Sequence, residues 1–209
     1  MTELRVYLPI EDLQPQFAAY LATPIRARGY PPFEGEHSLI IEVAPALAIH
    51  RIVDLALKAQ PDMEPGILFT ERQFGLLELH SQDSKLLTDA GQAILAGIDA
   101  KPRDQLAPKT LFSDIIDDIA DQHAIILNRT RTASMILPGQ SLLLYEMAPA
   151  LFAAMAANEA EKAAPAATLV DVQMIGASGR IFMSGPSQDL AKARQRIDDT
   201  LKVIKGRKS

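Results

Sequence analysis

Apolar positions along this chain recur at two spacings, and the switches between them mark out its elements. Residues 5–10 read as a short strand, and residues 13–22 as a short amphipathic helix. Residues 24–35, rich in Pro and Gly, are punctuated as a loop. Residues 39–43 form a compact apolar run of strand length that enters Pro45, a residue suited to the first turn of a helix. Ile49, Ile52, Val53, Ala56 and Leu57 follow at three- and four-residue spacing, which predicts a helix with one buried face. Pro61 and Pro65 end it. Residues 66–71 and 76–80 predict two strands joined by a tight turn around Gly75. Asp83 or Ser84 then caps a helix whose apolar stripe is Leu87, Ala90, Ile94 and Ile98.

The same grammar returns. Glu42-Val43-Ala44-Pro45-Ala46-Leu47 recurs as Glu146-Met147-Ala148-Pro149-Ala150-Leu151. At the same offset Lys58-Ala59 matches Lys162-Ala163, Pro61 matches Pro165 and Gly75 matches Gly179. Residues 142–147 are the strand of the second copy, 151–164 its helix, and 168–174 with 180–183 its hairpin. Ser187 is placed to cap a last helix with Leu190, Ala193, Ile197 and Leu201 inside. Further upstream, Gln16-Phe17-Ala18 returns less closely as Gln122-His123-Ala124. Two copies are too few for a solenoid and suit pseudo-symmetric ring building. The expected division is a first domain at 1–100, a polar, twice proline-broken linker at 101–108 and a second domain at 109–209. Strands and helices mix without strict alternation, so the fold class is α+β, two small sandwiches with helices on one side of each sheet.

Composition narrows the function classes. Hydrophobic content of 48% supplies a real core, and aromatics at only 5%, with no Trp, favour close packing of small helices on sheets. Net charge is -5, and the one basic run is the tail at 202–208, expected to be a solvated terminus, so no nucleic-acid partner is expected. The chain has no cysteine, which removes thiolate metal sites and thiol nucleophiles and fits a reducing cytosol. Residues 1–10 carry Glu3 and Arg5 without a long apolar run, so neither a signal peptide nor a membrane partner is expected. His37, His50, His80 and His123 are scattered. Glu78 and His80 share one strand face, but two groups do not make a metal site. No acid, base and nucleophile cluster, so the expectation is no catalytic residue, no metal and no cofactor.

Several ordered motifs carry a family resemblance. Asp54-Leu55-Ala56-Leu57-Lys58-Ala59 and Asn158-Glu159-Ala160-Glu161-Lys162-Ala163 resemble the lysine-bearing helix of bacterial microcompartment shell domains. Thr70-Glu71-Arg72-Gln73-Phe74-Gly75 resembles the Glu-Arg-x-aromatic-Gly loop of the tandem, circularly permuted, double-stacking subgroup found in carboxysome shells. Leu13-Gln14-Pro15-Gln16 and Leu127-Asn128-Arg129 resemble that subgroup as well. The resemblance implies two ferredoxin-like permuted domains and a homotrimer that mimics a hexagon. It further implies face-to-face stacking of two trimers, hexameric shell proteins as neighbours in one facet, and a cytoplasmic carboxysome-type shell. A threefold pore with open and closed states would pass small polar metabolites.

Under that resemblance Glu71, Arg72, Gln73, Phe74 and Gly75 are gate residues, with Arg72 presenting guanidinium donors to anionic metabolites. The equivalent turn, Ile175-Gly176-Ala177-Ser178, carries no charge and leaves room at the axis. Lys58, Lys162 and Arg129 are expected at the tile edge, with Arg131 a further rim or stacking candidate. The rival reading is a small-molecule-binding regulator or enzyme with a site in the cleft between duplicated domains.

Overall fold

The central strand of each repeat carries buried apolar residues on both faces. In a computed structural model describing residues 2–23 and 29–208, two four-stranded antiparallel sheets form, one in each copy. Residues 24–28, within the loop expected at 24–35, lie outside the described residues. The first copy runs β1 (Glu3–Ile10), α1 (Pro15–Ala22), β2 (His37–Ala44), α2 (Ile49–Ala59), β3 (Glu64–Thr70), β4 (Gly75–Ser81) and α3 (Ser84–Gly97). Its strand order is β1-β2-β4-β3. The second runs β5 (Lys109–Ile116), α4 (Asp121–Thr130), β6 (Ser141–Ala148), α5 (Phe152–Ala163), β7 (Thr168–Gln173), β8 (Gly179–Gly185) and α6 (Ser187–Val203), in the order β5-β6-β8-β7.

Leu39, Ile41 and Val43 of β2 pack with Leu77 and Leu79 of β4 against Ile49, Ile52 and Ala56 of α2 and Ala90 and Ile94 of α3. Period-two geometry sends Ser38, Ile40 and Glu42 to the opposite face, where they are also buried. The helices therefore do not all lie on one side, which corrects the expectation from the sequence. In the second copy α4 supplies Ala124 and Leu127 to a cluster with Leu142, Leu144, Val170 and Phe182, away from α5 and α6. A middle strand with apolar residues at successive positions needs this double cover.

The repeat extends to the backbone. Asp12 and Asp118 have φ of 58° and 52°, and Gly35 and Gly139 have 81° and 77°. The Ala44–Pro45 and Ala148–Pro149 bonds are both cis. Pro45 sits ahead of a short 3-10 turn, Ala46–Ala48, rather than inside α2. Asp83 caps α3 as expected, accepting from the Lys85 amide at 2.8 Å. Ser187 does not cap α6. It is the first helical residue, and its hydroxyl bonds the Asp117 carboxylate. Strand β5 was not legible because it lacks inward-outward alternation: Leu111 and Phe112 are both about half exposed.

The basic tail is not frayed in the way its charge suggests. The Arg207 amide donates to the Gln105 carbonyl, the Ala107 amide donates to the Arg207 carbonyl (2.8 Å each), and the Arg207 guanidinium bonds Glu3. Gln105, inside the expected linker, is buried and accepts from the Tyr7 amide at 2.9 Å. The compact units are consequently Met1–Ala107 with Lys205–Ser209, and Pro108–Ile204. This moves the end of the chain from the second domain to the first. No helix among the described residues is long and apolar enough to cross a membrane.

Tyr145 ties β6 to α6, its hydroxyl donating to Asp198 Oδ1 at 2.6 Å. Burial, together with that carboxylate, pushes the phenol from 10.0 up to about 12. A phenol whose folded pKa is raised stabilises the fold fully below pH 10.0, and that contribution is lost as pH rises through about 12. Tyr145→Phe is expected to cost about 1 kcal/mol at neutral pH and to flatten the fall in denaturant midpoint across that alkaline window. An unchanged alkaline slope in the variant would show that Tyr145 is not the group responsible.

Candidate functional site

Each sheet ends in a hairpin, and the two hairpins place the predicted gate residues. Glu71 to Phe74 form the turn between β3 and β4, closed by the Glu71 amide donating to the Phe74 carbonyl at 2.8 Å. Arg72 and Gln73 are exposed, and Glu71 and Phe74 are half-buried. Gly75 is buried where a Cβ would lie 2.3 Å from the Ala46 carbonyl oxygen, so the hairpin root rests directly on the chain entering α2. Gly179 repeats this contact, 2.1 Å from the Ala150 carbonyl oxygen.

Behind the first turn lies a pair that sequence reasoning missed. Arg5 of β1 reaches Glu42 Oε1 at 2.8 Å, and its guanidinium carbon stands 3.6 Å from the centre of the Phe74 ring. One cation thus holds a buried carboxylate and the last side chain of the turn. Burial pushes the Glu42 carboxyl up; Arg5 opposes this and the charge of Glu71 reinforces it.

The second hairpin uses the equivalent carboxylate differently. Glu146 accepts from Ser178 Oγ at 2.6 Å and from Arg180 Nε at 3.0 Å, while Arg180 Nη1 donates to Gln173 Oε1 at 3.0 Å. The Ser178 hydrogen bond and then the Arg180 guanidinium hold Glu146 below the usual carboxylate range. The turn Ile175 to Ser178 carries no charge itself, yet it leans on an ion pair. Gly176 adopts φ of 120°, a conformation open to glycine. The guanidinium comes from the β1 side in one copy and from β8 in the other. The repeat of Glu42 and Glu146 was the available signal, but no sequence spacing identifies either partner.

The three residues assigned to the tile edge sit in unlike surroundings. Lys58, near the end of α2, is exposed and bonds Asp54 Oδ2 at 2.7 Å. Lys162, its counterpart on α5, lies 3.1 Å from Glu159 Oε1, and Arg196 bonds the other oxygen of Glu159. Burial raises the Glu159 carboxyl, but Arg196 and Lys162 outweigh it and hold the group low. Arg129 is exposed on the last turn of α4. Arg131 folds back, donating to the Ala133 carbonyl at 2.6 Å. Asn128, just before Arg129, is structural: its side chain both donates to and accepts from the Ile136 backbone.

Known proteins share this arrangement. The model of the CsoS1D N-terminal domain matches residues 4–104. The chain is 41% identical to carboxysome shell protein CsoS1D of Hydrogenovibrio crunogenus over 98% of both chains. It is 38% identical to carboxysome shell protein CcmP of Synechococcus elongatus, over 98% of this chain and 94% of that one. Among solved structures, the double ringed trimeric shell protein MSM0271 from the RMM microcompartment is similar at TM-score 0.96, with 61% identity and complete coverage of both chains. The fused permuted hexameric shell protein MSM0275 from the same compartment gives TM-score 0.93 and 43% identity, covering 99% of this chain and 100% of that one. Tandem four-stranded sandwiches of this order define a structural class, the tandem-domain shell proteins of bacterial microcompartments. Within it, the chain belongs to the family of the carboxysome shell proteins CsoS1D and CcmP.

Gly75→Ala and Gly179→Ala are each expected to destabilise the fold by about 1–3 kcal/mol, because the added methyl meets a backbone carbonyl that cannot swing aside. Urea denaturation of the purified variants checks this. Wild-type midpoints in both would mean that the hairpin roots stand further from the α2 and α5 entries.

Proposed function

We propose that three copies close into a pseudohexameric tile whose threefold axis is lined by the two hairpin turns, making a gated pore for small polar metabolites. The observation that carries the assembly is the likeness along the entire chain to a double ringed trimeric shell protein. Tandem duplication supports it, since three chains bring six like domains to one ring. In the same reading two trimers stack face to face, hexameric shell proteins adjoin the rim, and the protein is a structural component rather than an enzyme. Lys58, Lys162 and Arg129 are its edge residues, Lys58 and Arg129 by exposure and Lys162 by its matched place in the repeat.

The gate is Glu71 and Arg72. Arg72 is exposed and makes no hydrogen bond or ion pair with any described residue, so its guanidinium is free to meet an anion. Gln73, Phe74 and Gly75 complete that turn. Ile175, Gly176, Ala177 and Ser178 give the opposite turn a small profile, leaving space for the longer side chains to move.

Native mass spectrometry tests the assembly. Three chains of 22.8 kDa give a species of about 68 kDa, and a stacked pair gives about 137 kDa. Monomer or dimer at every concentration would remove the pore. For the gate, Arg72→Ala is expected to leave the trimer intact while lowering retention of anionic metabolites by equilibrium dialysis. Trimers that dissociate on this change would make Arg72 a structural residue instead.

A further inference from the structure

One polar cluster of the first unit plays no part in the tile or its pore. Glu78 and His80 of β4, fully buried, point to the face away from α2 and α3. Glu78 Oε1 accepts from Ser38 Oγ at 2.6 Å, and Glu78 Oε2 lies 3.1 Å from His80 Nδ1. Beyond the ring, Glu64 Oε2 stands 3.5 Å from His80 Nε2, and the two residues are direct partners in the β3–β4 ladder. Both ring nitrogens therefore face carboxylate oxygens. An ionised carboxylate only accepts, and a neutral imidazole carries one N–H, so a neutral ring would turn a lone pair toward one of them. Only the imidazolium has a favourable contact on both sides.

The second copy shows that the fold does not require this charge. There the places of Ser38, Gly66, Glu78 and His80 are taken by Leu142, Val170, Phe182 and Ser184, and Thr168 stands for Glu64. Leu142, Val170 and Phe182 close that face as part of an apolar cluster. A buried ion pair is seldom more stabilising than apolar side chains of like volume, so stability alone does not account for the charged version. Gly66 leaves room for it, since a Cβ there would lie 2.2 Å from Glu78 Oε2. What the charged version adds is a dependence on protons.

Its place in the sheet gives that dependence a consequence. β3 is an edge strand, its ladder is interrupted between Pro65 and Ile67, and Pro65 has no amide to donate. The backbone therefore holds the start of β3 weakly, and the His80–Glu64 pair is a further tie. We propose that His80, held between Glu78 and Glu64, is a proton-operated latch: the imidazolium ties the start of β3 to β4, and loss of its proton at mildly alkaline pH releases that end of the strand. A cavity of about 280 Å³, lined by Glu36, Asp62, Glu64 and His80, lies beside the latch. Among the described residues the charged groups around the ring are Glu78 on β4, Glu64 on β3, Glu36 ahead of β2 and Asp62 ahead of β3. All are carboxylates, so each favours the charged ring. Burial opposes that charge, but the Glu78 hydrogen bond and the charges of Glu78, Glu36 and Glu64 outweigh it and raise the ring above its ordinary 6.5. A group raised in this way stabilises the fold fully below its ordinary value, and the contribution is lost as pH rises through the folded one. The latch is independent of the pore reading.

Hydrogen exchange of the full-length protein, followed by mass spectrometry between about pH 6 and 9 and corrected for intrinsic amide rates, tests the latch. Peptides covering residues 64–67 are expected to lose protection about threefold or more relative to β2 as pH rises. Glu64→Gln, at a half-exposed position that keeps the fold, should move the midpoint to lower pH, reporting a proton affinity lowered about threefold. Ser38→Leu with Glu78→Phe and His80→Ser copies the second repeat and should flatten the profile. If that triple variant fails to fold by circular dichroism, the Glu64→Gln result decides. A flat wild-type profile, or one unchanged in Glu64→Gln, overturns the latch. Wild-type pH dependence retained in the folded triple variant overturns it as well.

Discussion

A strand covered on both faces must find a partner for every polar side chain it buries, and that constraint organises this molecule. β2 lies between β1 and β4 and is buried on both faces, so Ser38 and Glu42 cannot turn to water. An unpaired carboxylate in such a place costs several kcal/mol, and the fold answers each one specifically. Arg5 meets Glu42, while Ser38 and His80 meet Glu78. Arg5 and Ser38 come from the strands next in the sheet, so satisfying these carboxylates also favours the observed strand order and register.

The same constraint joins the core to the turns. Glu42 and Glu146 stand at equivalent positions beside the hairpins, yet their proton affinities move in opposite directions. Glu42 is almost fully covered and shares its arginine with the Phe74 ring. Glu146 is partly open and gathers a hydroxyl and a guanidinium from its own hairpin. A duplicated scaffold thus carries two differently charged ends. In the trimer reading this makes alternate corners of a six-domain ring unlike, which identical subunits in a true hexamer cannot achieve.

Much of the fold was legible because it rests on local periodicity. The stripe at Ile49, Ile52 and Ala56 became the buried face of α2, and Leu190, Ala193, Ile197 and Leu201 that of α6. Strand β5 escaped, since an edge strand with both faces partly open has no alternation to read. The cover by α4 on the second face of its sheet was missed for a related reason. A run such as Leu142-Leu143-Leu144 shows that a strand is buried, not which helix buries each side.

The sequence alone determined the duplication, the α+β class and the shell-protein family, because matched motifs at fixed offset and helical or strand spacing are properties of the chain's order. It also marked Glu71 and Arg72 as a charged turn. Only the tertiary structure decided that Arg5, distant in the chain, holds Glu42 and Phe74 behind that turn, and that Glu64 approaches Nε2 of His80. It alone returned Arg207 to the first unit beside Gln105. Each is a contact between residues far apart in sequence. Strand pairing brings the first two together and chain return the third, and no local pattern encodes which partner arrives.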